Sequence, residues 1–193
     1  MSKSPRERMI QSAALLMRER GVETTSFSEV LAHSGAPRGS IYHHFPGGKA
    51  QLIEEATRYG GEFITAGITA ALEQDDFLAA LDTFAEYWRA VLHESEYAAG
   101  CPVVAATLAG DRTPAVRAAA AEAFERWEQI LTDALRGRGV AKEQARSLST
   151  LVFSSIEGAI ILARAQRSSA PLERVRDELH ALLRDALEQA SPR

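Results

Sequence analysis

A chain of 193 residues, 46% hydrophobic and 25% charged, has ordinary globular composition and enough length to bury a core, as one domain or as a small domain joined to a larger one. Its net charge of −4 conceals an asymmetry: residues 1–50 hold seven Lys and Arg against four Asp and Glu, a net of +3, which leaves −7 on the other 143. A single cysteine excludes an intramolecular disulfide, no apolar run follows residues 1–8 as a secretory signal requires, and the longest apolar run, 159–163, is too short to cross a bilayer, so a soluble protein of the reducing cytoplasm is expected.

The pattern along the chain is helical, with no convincing strand. Ser4-Pro5-Arg6-Glu7 reads as a capping box with proline at the first helical position, and the helix it opens runs to Arg20 before Gly21. Ile10, Ala13, Ala14 and Met17 share one face of it. Ser26 and Glu29 form a second capping box, followed by Phe27, Val30 and Leu31 on an apolar face, and Gly35 supplies a left-handed stop. A third helix is predicted over 37–45, with Pro37 in its first turn and Ile41 and Phe45 facing inward. Arg38, Ser40, Tyr42 and His43 remain for its polar side.

Two short helices around a glycine turn are the layout of a helix-turn-helix, and DNA is the partner this suggests. The positive charge lies in the same fifty residues, and only charge facing the phosphates needs to be favourable. Gly39 and Ser40 are small enough to let backbone approach a groove, and the longer side chains can reach base edges or phosphates.

From Gly21 through Thr24-Thr25-Ser26, Gly35, Gly39-Ser40-Ile41-Tyr42 and His44-Phe45 to Lys49, the chain resembles the N-terminal domain of the TetR family of bacterial transcriptional regulators. The resemblance covers about residues 5 to 55. It implies an all-helical homodimer that binds operator DNA through residues 1–48 and releases it when a small-molecule inducer enters a ligand-binding and dimerisation domain at 49–193. It further implies that Tyr42 and His43 make recognition-helix contacts, and that Thr25 and Lys49 contact phosphate at helix starts. Arg38, Gly39 and Ser40 complete the DNA-binding set expected here. The sequence departs from the family at Ala36-Pro37, where many relatives have Val-Ser, so one hydroxyl contact to the backbone is missing.

Helices are also predicted from Lys49 through a Gly60-Gly61 kink, over 76–95, near 102–108, from 114 to 136, over 141–167 and over 171–189. The last two carry apolar stripes, with Leu148, Leu151, Val152, Ile156 and Ile160 on one and Leu172, Val175, Leu179, Leu182 and Leu183 on the other. These serve equally as the monomer's core or as a dimer surface. A twofold protein reads a pseudo-palindrome, and that favours the dimer. Gly100-Cys101-Pro102-Val103-Val104-Ala105 resembles a motif of the LmrA/YxaF-like branch of the same family.

A ligand pocket among the central helices draws on large rings, and Trp88, Trp127 and Phe153 are the candidates, with Cys101 beside them. A lone cysteine before proline is more often packed than reactive. Glu157, in an apolar helix, is the one polar candidate for ligand recognition. Nothing in the chain suggests an enzyme: the five histidines at 33, 43, 44, 93 and 180 lack metal-ligand spacing, and no cofactor motif occurs. The alternative is a helical protein-binding adaptor that has lost its DNA contacts.

Overall fold

The computed structural model describes residues 3–37, 39, 41–74, 76–109 and 113–190. Nine helices and no strand occur among them. They are α1 (Pro5–Arg20), α2 (Phe27–Ser34), α3 (Ile41–His44), α4 (Gly48–Leu72), α5 (Phe77–Glu94), α6 (Pro102–Thr107), α7 (Pro114–Arg136), α8 (Lys142–Gln166) and α9 (Ala170–Ala190).

Local chemistry accounts for most of the starts. Both capping boxes form: the Ser4 hydroxyl accepts from Glu7 N–H while the Glu7 carboxylate accepts from Ser4 N–H, and Ser26 and Glu29 repeat the arrangement at α2. Asp76 caps α5 by accepting from Leu78 and Ala79. Pro102 and Pro114 each occupy a first turn, where proline has no bond to forfeit. Gly35 closes α2 at φ 63°, in the left-handed region.

The third helix is shorter than the sequence suggests, four residues from Ile41 rather than nine from Pro37, and Arg38 and Ser40 fall outside the described residues. α4 runs on through Gly60-Gly61 to Leu72. The two glycines give it room for neighbours: a Cβ on Gly60 would lie 2.7 Å from Pro102 Cγ, and one on Gly61 would lie 2.9 Å from Ala123 Cβ. By length and composition α8 is long and apolar enough to cross a membrane, although its longest uninterrupted apolar run is short. Half of its apolar window is buried inside the protein, as in a core helix.

Packing divides the chain into two units, Met1–Phe63 with Ala99–Ala123, and Ile64–Ala98 with Phe124–Arg193. In the first, α1 packs on α2 and α6, with Met9, Met17, Val30, Ile41 and Phe45 fully buried. The Gly100 N–H donates to Arg18 O at 2.8 Å, and Arg58 of α4 pairs with Glu122 of α7. In the second unit α8 and α5 pack on α9 and on each other. Its core holds Trp88, Trp127 and Leu135, and the buried Thr132 hydroxyl donates to Ser149 Oγ at 2.9 Å.

Candidate functional site

α3 is anchored within the first unit by its own buried side chains. Ile41 and Phe45, one turn apart, are both 0% exposed and anchor it to the core. The Arg6 guanidinium lies over the Phe45 ring, 5.4 Å from its centroid, and pairs with Glu55 at 2.6 Å. Between α1 and α2, His33 Nδ1 and Ser12 Oγ are 3.0 Å apart. The Ser26 N–H and hydroxyl both donate to Glu29 and hold its carboxyl below the usual carboxylate range. The start of α2 is therefore fixed chemically as well as sterically.

Anchoring Ile41 and Phe45 turns the intervening residues outward. Tyr42 is 71% exposed, and His43 is exposed beside it. Gly39 is also exposed, and a Cβ built there would meet nothing within 4 Å among the described residues, so no contact with them demands the small residue. Ala36 is buried and Pro37 exposed, so of the pair only the alanine turns into the protein ahead of α3.

Two of the phosphate-contact candidates are engaged within the chain. Thr25 is 2% exposed, and its hydroxyl donates to Gly21 O at 2.8 Å. Burial and that bond make its hydroxyl a brace for the turn between α1 and α2. Lys49, half-buried at the start of α4, sends Nζ to Glu23 O at 2.9 Å, a single bond for a group with three donors. Thr24 and Ser28 lie exposed near the same edge and were not singled out from the sequence.

In the second unit a cavity of about 40 Å³ lies between α4, α5, α7, α8 and α9. Its lining is wholly apolar and includes Ile68, Phe77, Phe84, Leu131, Phe153 and Leu183. Of the pocket candidates only Phe153 reaches it. The two tryptophans belong to a ring cluster alongside: Phe84 meets Phe153 and Trp88 edge-on at 6.2 and 6.3 Å, and Trp127 lies 6.0 Å from Phe153. The Trp127 indole N–H donates to Thr65 Oγ1 at 2.9 Å, whereas that of Trp88 is buried without an acceptor among the described residues. Glu157 is half-buried, and Cys101 is buried at the N-cap of α6 in the other unit. Neither lines the cavity. Its wall was hard to foresee because Ile68, Leu131 and Leu183 look like any core position in sequence.

A second concavity, about 370 Å³, opens on the surface of α8 and α9 between Leu151, Ser155, Arg174, Val175, Leu179 and Leu182. Leu151, Ile161 and Leu162 of α8 and Leu182 of α9 are 40–50% exposed, more than a monomer's core requires.

Comparison with known proteins agrees with this arrangement. Residues 9–56 match the family model described as bacterial regulatory proteins, tetR family, and residues 78–178 match that of the transcriptional regulator LmrA/YxaF-like C-terminal domain. An HTH-type transcriptional regulator of Mycobacterium tuberculosis is 44% identical over 97% of this chain and 98% of its own. The HTH-type transcriptional regulator LmrA of Bacillus subtilis is 32% identical over 86% and 90%. A regulatory protein TetR from Rhodobacter sphaeroides, 20% identical, superposes with a TM-score of 0.80 over 91% of this chain and 96% of that one, a likeness of fold.

Proposed function

The chain belongs to the TetR family of bacterial transcriptional regulators, and on that premise we propose that it is a repressor that holds a pseudo-palindromic operator as a homodimer and releases it on binding a small molecule. The observation that carries the DNA half is α3 itself, with Ile41 and Phe45 buried to the last atom and Tyr42 between them 71% exposed. Tyr42, His43, Gly39 and Lys49, with Arg38 and Ser40, are the residues we assign to DNA, and residues 1–48 form the domain that carries them. Thr25 acts there through the turn it braces. The protein works in the cytoplasm, where its operator is, and no catalytic role is proposed.

The exposed leucines and isoleucine of α8 and α9 are the surface we assign to the dimer. A closed twofold contact buries such a patch on both copies at once. It also sets the two recognition helices a fixed distance apart, about 34–36 Å or a multiple for successive major grooves.

For the ligand, the apolar cavity argues for an uncharged molecule, since nothing in its lining could pair a charge. The Trp88 N–H, buried without an acceptor among the described residues, favours a molecule with a hydrogen-bond acceptor once the rings part. Drug-sized ligands occupy about 300–1,000 Å³, so 40 Å³ is an unopened site, and the ligand must part the rings around Phe84 and Phe153. α4 is the physical link: it bears Lys49 at one end and Ile68, Ala71 and Leu72, which line the cavity, at the other. A ligand that binds only the opened bundle shifts the population toward it, and a tilt of α4 then spoils the spacing of the two α3 helices.

Fluorescence anisotropy on a duplex that the protein retains tests the reading. Affinity falls as salt rises, by counterion release, and replacing Tyr42 and His43 together by alanine abolishes specific binding. If that double variant binds as the parent does, the DNA assignment is wrong and the adaptor alternative gains.

A further inference from the structure

Phe27 is an aromatic residue left out of the core it belongs to by spacing. It shares a helical face with Val30, yet Val30 is 0% exposed while Phe27 remains half-buried at the first position of α2. Its ring meets the Tyr42 ring edge-on, with centroids 5.5 Å apart and planes at 85°. That is the favoured geometry of an aromatic pair, a positive edge against a negative face.

Tyr42 needs such a partner. It stands on a helix of only four residues and is 71% exposed, and the ring it meets among the described residues is that of Phe27. The backbone at Phe27, in contrast, is held by the cap just before it. Phe27 directly follows Ser26, whose hydroxyl caps Glu29 N–H at 3.3 Å and whose own N–H donates to the Glu29 carboxylate at 2.9 Å. A ring on a capped, backbone-fixed turn of α2 thus bears on an exposed ring on α3.

We propose that Phe27 is a positioning residue for DNA recognition, which holds the Tyr42 phenol in its binding orientation before DNA arrives. The inference rests on the reading that Tyr42 faces DNA, and it adds a residue that needs no DNA contact of its own. Orienting the ring beforehand removes the entropy otherwise lost when a free side chain is immobilised at an interface. An oriented ring also discriminates between sequences, because a misaligned base or sugar cannot draw it aside. Phe27 therefore acts on specific binding and leaves the general attraction to phosphate unchanged.

The test uses full-length protein, a duplex that it selects from a random pool, and poly(dI-dC) as non-specific DNA. Phe27→Leu keeps apolar bulk and removes the ring. We expect specific affinity to fall about three- to tenfold with non-specific affinity unaltered, and Phe27→Trp to recover most of the loss. In a Tyr42→Ala background, Phe27→Leu then has no further effect. Equal losses on both DNAs, or the same loss with and without Tyr42, overturn the proposal and make Phe27 a structural residue only. Thermal unfolding of each variant separates a damaged fold from a misplaced ring. If Tyr42→Ala alone leaves specific binding intact, the underlying reading of α3 fails instead, and Phe27 has nothing to position.

Discussion

Gly60 of α4 and Pro102 of α6 approach so closely that a Cβ on the glycine would stand 2.7 Å from Pro102 Cγ and 3.3 Å from its Cβ. A proline ring cannot swing aside as a flexible side chain can, so the helices must separate to admit even one methyl group. Gly60→Ala is expected to destabilise the protein by about 1–3 kcal/mol, the usual cost of overpacking, despite alanine's better helix propensity. Chemical denaturation gives the value. A more stable variant means that α6 yields freely.

The capping box of α2 predicts a pH dependence. Hydrogen bonds from Ser26 lower the Glu29 carboxyl below its ordinary range, so the folded state favours the charged form. The resulting stabilisation is present above the unfolded value of about 4.3 and is lost as pH falls through the lower folded value. Glu29→Gln keeps the cap's shape without the charge. Wild type should melt above this variant at neutral pH, and the difference should shrink as pH falls through the lowered folded value. A constant difference would mean that the charge is not what matters.

At the end of α5, Glu96 and Tyr97 have φ of 50° and 62°, where a side chain crowds its own backbone. Tyr97 N–H donates to Leu92 O at 2.6 Å and Glu96 N–H to His93 O at 3.0 Å, the Schellman closure that usually places glycine where Glu96 stands. Relieving a left-handed residue gains about 1–2 kcal/mol, of which glycine's flexibility returns about half. Glu96→Gly should therefore raise the denaturation midpoint by a net of up to about 1 kcal/mol. A lower midpoint would point to a contact of the Glu96 side chain worth more than the strain.

Trp127 is 0% exposed and gives its indole proton to Thr65. Thr65→Val preserves shape and removes the acceptor, at an expected cost of about 1 kcal/mol, the net worth of a typical hydrogen bond. Trp127→Phe made on top of it should add less than it does alone. Simple additivity, read from denaturation of the four proteins, would show that the two groups are not coupled.

Helix starts were legible in the sequence because their chemistry is local: Ser4 with Glu7, Ser26 with Glu29, and prolines at 102 and 114 act within one turn of where they stand. The outward face of α3 was legible for the same reason, since Ile41 and Phe45 fix the side to which Tyr42 points. Non-local relationships were not. Nothing near Gly60 in sequence announces Pro102, and the inward turn of the Thr25 hydroxyl depends on Gly21 folding back beneath it. Phe27 looked like core because spacing gives a face, not the depth to which each residue on it sinks. The cavity was hidden for a related reason: apolar residues at helical spacing read alike whether they close on each other or leave a gap.

Two outward α3 helices related by a twofold axis are the centre of this account. Sequencing the DNA that the purified protein retains from a random pool addresses them most directly. Two inverted half-sites are expected, their centres one or more whole helical turns apart, and the Tyr42→Ala, His43→Ala double variant should enrich neither. A lone half-site, no enriched sequence at all, or the same palindrome recovered with the double variant would contradict it.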